Sequence, residues 1–231
     1  MAPPKLKPVE VYYPESDGQP MAETDIHRDL MVDLIASVDW HFREDRDFYV
    51  SGNLFIYFEE GNPEKAVAPD FFVVHGVPKG QRRTFKVWEE KKGPELVIEL
   101  TSRKTQVEDR GNKRAIYEEL GVREYFIFDP ERSSLRPVVT GFQLEDEFFQ
   151  AMPPLRTKGN RIVFRSEVLG LELHAFAQML RWVDPGTGKP LPIPREAYQL
   201  AEERLQRAER AETEVARLRE ELARLRRKSP R

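Results

Sequence analysis

Residues 94–130 read PELVIELTSRKTQVEDRGNKRAIYEELGVREYFIFDP. The opening PELVIEL is apolar apart from Glu95 and Glu99, the composition of a strand buried on both faces. The middle predicts a helix: Thr105-x-x-Glu108 matches a capping box, and Gly121 supplies the stop. Gly111 within it costs about 1 kcal/mol, which the other signals outweigh. REYFIFDP then predicts another strand. A strand–helix–strand unit requires a right-handed crossover. The fold class expected is therefore α/β, a mixed sheet covered by helices.

Upstream, Ile26, Leu30, Leu34 and Val38 recur every fourth residue beside Met31 and Ile35, predicting a helical core face with Thr24 or Asp25 as its cap. DFYVSGNLFIYFEE has the composition of a strand or strand pair, ended by Gly61-Asn62-Pro63. AVAPDFFVVHGV is another apolar run, interrupted at Pro69-Asp70, and KGQRRTFKVWEEKK predicts a projecting hairpin or loop. Residues 137–182 predict peripheral strands and turns, with a short apolar HAFAQMLRWV segment. The domain expectation is an extended segment 1–20, a core domain 21–184, a Pro/Gly-rich linker 185–194 and a charged helix 195–231. In that helix Ala197, Ala201, Arg204, Ala208, Ala211, Val215, Leu218, Leu222 and Leu225 follow heptad spacing. A dimeric coiled coil and a solitary helix are both open.

The absence of cysteine excludes disulfide scaffolds, zinc ribbons and thiol nucleophiles. No apolar run is long enough for a membrane span, and the N-terminus lacks an apolar signal core. The expectation is a cytoplasmic protein. Its net charge of −3 gives no global basic footprint, which leaves only a local basic patch for nucleic acid. Gln81-Arg82-Arg83, Lys86 and Lys91-Lys92, interleaved with Phe85 and Trp88, form one such cluster; phosphate contact and a solvated hairpin are both open.

Two acids sit where acids need a reason. Glu99 follows Leu96-Val97-Ile98, and Asp70 divides Val67-Ala68-Pro69 from Phe71-Phe72-Val73-Val74. An unpaired buried carboxylate costs several kcal/mol. On neighbouring strands the two could share one divalent cation, because Mg²⁺ takes one or two carboxylates plus water and phosphate oxygens. Pairing with arginine, or capping of backbone groups, is the alternative for each.

Pro69-Asp70, Glu99, Thr101-Ser102, Asp109 and Lys113, Glu124-Tyr125-Phe126 and Asp129-Pro130 occur in the order that resembles the putative restriction endonuclease family of the PD-(D/E)xK nuclease superfamily. Ala22–Arg28 and Val183-Asp184-Pro185 resemble the start and end of that family's domain. The resemblance implies a restriction-endonuclease-like core with a central mixed sheet, and an endonuclease that cleaves DNA with Mg²⁺ or Mn²⁺. It implies catalytic Asp70, Glu99 and Lys113, with Asp70 and Glu99, and the carbonyl of Leu100, as metal ligands. In the parent motif the lysine lies two residues after the second acid, where this chain has Thr101. The resemblance therefore points to a lysine displaced onto the helix. Asp109, Lys113 and Tyr117 share one face there, next to Ile116 and Leu120. An ordinary Asp109–Lys113 surface pair is the alternative, and Arg103 and Lys104 are reserve cations. Glu23, His27, Thr101 and Asp109 are supporting candidates. Other expectations are a catalytically inactive nuclease-like module that binds DNA or protein through its C-terminal helix, and a structural protein whose acids are paired internally. A homodimer through the C-terminal helix is a possible partner arrangement.

Overall fold

The structure is a computed structural model that describes residues 11–16, 24–102, 107, 111–133 and 135–228. The chain divides into two units, 1–191 and 192–231.

The first unit is built on a six-stranded sheet. Its strands are β1 (Phe48–Ser51), β4 (Phe71–His75), β6 (Leu96–Leu100), β7 (Glu124–Phe128), β8 (Val139–Glu145) and β9 (Phe148–Met152), in the order β1-β4-β6-β7-β8-β9. Only β6 and β7 run parallel. That pair is the strand–helix–strand unit of residues 94–130, and every residue of both strands is buried. The fold is accordingly the mixed-sheet α/β class expected.

The helix of this unit, α3, spans Asn112–Glu119 with Gly111 as its N-cap. The expected start at Thr105 and Glu108 lies outside the described residues. The stop is as read: Gly121 has φ +70°, and the N–H of Val122 returns to Tyr117 O at 2.9 Å. A residue with positive φ that closes the last turn favours glycine.

The sheet has two covered faces. Helix α1 (Asp25–His41) packs Leu30, Leu34 and Val38 against one of them, and Thr24 caps it by accepting from His27 N–H. On the other face Tyr117, with Ile116 and Leu120, packs on Val97, Tyr125 and Ile127. A small sheet of β2 (Ile56–Tyr57), β3 (Ala66–Val67) and β5 (Phe85–Lys86) adds Ile56, Val67 and Phe85 to that second core. The short α2 (Val87–Glu90) follows β5.

Residues 137–182 differ from expectation. Far from peripheral, β8 and β9 belong to the central sheet. A second antiparallel sheet of β10 (Arg156–Lys158), β11 (Arg161–Arg165), β12 (Glu172–Phe176), β13 (Met179–Asp184) and β14 (Lys189–Pro190) covers the α1 side of the core. HAFAQMLRWV is the β12–β13 hairpin, which sends Leu173, Ala175, Leu180 and Trp182 inward. Strand β14 lies inside the stretch read as a linker. No helix among the described residues is long and apolar enough to cross a membrane.

The second unit contains α4, Pro194–Lys228. Thirty-five residues at 1.5 Å each extend about 52 Å. Leu205, Val215 and Leu218 on it are exposed.

Candidate active site

The antiparallel register of β4 on β6 pairs Phe71 with Ile98 and Phe72 with Val97. One step further along the same register sets Asp70 opposite Glu99. Cross-strand partners project from the same face, here the face that α3 covers. The chain thus brings together two acids separated by a turn, a short strand and a short helix in sequence.

Glu99 is 1% exposed. Its Oε1 accepts from the Tyr117 hydroxyl at 2.5 Å, and its Oε2 lies 2.9 Å from Lys113 Nζ. Lys113 and Tyr117 are four residues apart on α3, so one helical face presents both donors to one carboxylate. Burial, and then the Glu99 charge, raise the Tyr117 phenol well above its usual range, which keeps it a hydrogen donor.

Asp70 makes a different set of contacts. Its Oδ1 lies 2.9 Å from His27 Nε2, and its Oδ2 accepts from Leu100 N–H at 2.7 Å. Burial is the largest influence on this carboxyl and opposes ionisation. It is outweighed by the hydrogen bond and charge of His27, the charge of Lys113 and the Leu100 amide, which together hold the carboxyl below the usual carboxylate range. Lys113 therefore acts electrostatically on both acids while touching Glu99.

The supporting candidates divide. His27 reaches the site from α1, on the opposite side of the sheet. Thr101 is buried and donates its N–H to Phe128 O at 2.7 Å, tying the ends of the parallel strands together. Glu23, Asp109, Arg103 and Lys104 lie outside the described residues. In the sequence Tyr117 only marks the helix face; its hydroxyl is a direct Glu99 partner. The i+4 spacing from Lys113 was the available signal.

Another buried acid, Glu124, stands at the far end of the parallel pair, where it is in register with Leu96. Burial raises its carboxyl, opposed by the Ser166 hydroxyl at 2.5 Å and the N–H groups of Val168 and Glu167. Those contacts fasten the loop before β12 to the central sheet. The basic cluster of residues 81–92 is largely paired. Arg82 bonds Glu90, Arg83 bonds Glu15 and Lys86 bonds Glu89, with Arg82 also stacked 4.1 Å over the Tyr49 ring. The segment is not the projecting hairpin expected: Phe85 is buried in β5, which pairs parallel with β2, and α2 follows directly.

Among the described residues no three His, Asp or Glu side chains are grouped to hold a metal. The candidate donor set is the two hard carboxylates of Asp70 and Glu99, each oxygen of which has a protein partner. It fits Mg²⁺ or Mn²⁺, which take few protein oxygens and fill the remaining positions with water and substrate phosphate. It does not fit a structural zinc centre, which requires four protein ligands.

Residues 7–174 match the model of the Uma2 family, described as putative restriction endonuclease. Among solved structures, the chain is similar to a putative nuclease from Anabaena variabilis ATCC 29413, at 11% identity and a TM-score of 0.43. That likeness covers 60% of this chain and 75% of the other. No curated protein matches.

Proposed function

The chain belongs to the Uma2 family of putative restriction endonucleases, and from that premise we propose that it hydrolyses phosphodiester bonds in DNA as a divalent-metal-dependent endonuclease. The observation that carries this reading is the lysine. Lys113 Nζ stands 2.9 Å from the buried carboxylate of Glu99, which the register sets opposite Asp70. A chain that has Thr101 at the motif position supplies the same cation from a helix.

Asp70 and Glu99 would hold Mg²⁺ or Mn²⁺. When bound, such an ion supplies Lewis acidity, lowering the pKa of a coordinated water and offsetting charge on the scissile phosphate. Tyr117 fixes the Glu99 carboxylate by donating to Oε1. His27 and the Leu100 amide fix that of Asp70. Lys113 holds a positive charge beside the pair, where it stabilises the charge that develops on phosphate oxygens and orients the attacking water. Removing one preorganised donor of this kind costs about 10²–10³ in rate. Lys113→Ala should therefore lower cleavage about 10²-fold or more, and Asp70→Asn should abolish it, with circular dichroism spectra unchanged.

One observation favours a second, non-catalytic reading. Each of the four carboxylate oxygens already has a protein partner. A module that binds DNA or protein without cutting needs no more than that. The two readings separate on a plasmid assay with Mn²⁺: cutting that disappears with Asp70→Asn supports the endonuclease, whereas no cutting by either protein supports the module. Homodimerisation through the heptads of α4 completes the proposal.

A further inference from the structure

The five-stranded sheet turns one face to the core and the other away. Its register puts Arg156, Lys158, Arg161, Arg165, His174 and Arg181 on the outer face, with Glu172 the only acid there among the described residues. Glu172 is already engaged by Arg156 and His174. Lys158 and Arg161 stand directly opposite one another across β10 and β11. Like charges in that position destabilise a sheet. A chain of net charge −3 therefore concentrates cations here at a cost to its own fold.

Apolar surface accompanies the charge. Phe176 and Met179, 41% and 50% exposed, lie in the same cross-strand row as Arg161, whose guanidinium sits 5.5 Å over the Phe176 ring. Arg161, His174, Phe176, Met179 and Arg181 line a depression of about 260 Å³. Rows of cations with an exposed ring among them match a regularly charged polyanion.

We propose that this outer face binds the phosphodiester backbone of a nucleic acid, on a surface separate from the acid–lysine site. The choice of nucleic acid as the polyanion rests on the endonuclease reading. The test uses the full chain carrying Asp70→Asn, in EDTA, with a labelled duplex oligonucleotide followed by fluorescence anisotropy across a salt series. Adding Lys158→Ala and Arg161→Ala should weaken binding and lower the salt slope by about two, one for each phosphate contact removed. In the otherwise wild-type chain the same pair should raise KM for plasmid and leave kcat unchanged. Affinity and slope unaffected by the pair would overturn the proposal even if cleavage is intact. Cleavage absent, with binding that still depends on the pair, would instead reject the nuclease reading and retain the surface. Binding to phosphatidylserine vesicles that the pair abolishes, with no binding to DNA, would assign the face to lipid and also overturn it.

Discussion

Lys113 and Tyr117 show how two positions one helical turn apart complete a site begun on a strand. Both donate to Glu99, and between them they supply a partner to each oxygen of a buried carboxylate. Tyr117→Phe removes one hydrogen bond to a buried charge and should destabilise the domain by about 1–3 kcal/mol, read from urea unfolding. The Asp70 carboxyl has its own pH signature. Its folded pKa lies below its unfolded value of 3.8. Its contribution to stability is thus complete above that unfolded value and is lost as the pH falls through the folded one. The stability gap between wild type and Asp70→Asn should close as the pH falls from about 5 toward about 3. A gap that widened over that range would contradict the assignment. At this scale the sequence was informative about acids and weaker about cations. An acid inside an apolar run announces itself, as Asp70 and Glu99 did. A lysine on a helix face looks the same whether it meets solvent or a carboxylate, and only the crossover of α3 over β6 distinguishes the two. His27 was harder still, because nothing local tells a helix histidine that it will meet Asp70 from the other layer.

Among the elements, the segment 94–130 was the most legible. Two short apolar runs around a glycine-stopped helix leave one economical arrangement, the parallel pair β6–β7 with α3 crossing it. The α1 face was equally readable, with Leu30, Leu34 and Val38 buried as its spacing requires. Strands β10–β14 were not. Each is short, and the alternation of Leu or Trp with His or Arg in β12 and β13 looks much like an exposed hairpin until the inward residues find Phe71 and Phe126 across the core. Close approach between elements also constrains Gly52, just beyond β1. A Cβ there would lie 2.0 Å from the carbonyl oxygen of Asp70. Because that neighbour is backbone, relief requires the strand carrying the site to move. Gly52→Ala should therefore cost about 3 kcal/mol in thermal or urea unfolding and depress cleavage together with stability.

For the whole molecule, the proposal assigns three tasks to three surfaces: chemistry at the acid–lysine site, backbone binding on the outer sheet and pairing along α4. Pairing has a direct test. Light scattering on the eluted full chain should give the mass of a dimer, and Leu218→Lys, which sets a charge in the expected seam, should give a monomer. A monomeric wild type would remove this part of the proposal and leave the active site untouched.

Asp70, Glu99 and Lys113 are proposed as a working metal-dependent nuclease site. Its most direct test is nicking of supercoiled plasmid by wild type, Asp70→Asn and Lys113→Ala with Mn²⁺ or Mg²⁺ and with EDTA. Cutting by the wild type should need the metal, should vanish with Asp70→Asn, and should fall about 10²-fold or more with Lys113→Ala. Cutting that survives Asp70→Asn, or a wild type that cuts no DNA with either ion, would contradict the proposal.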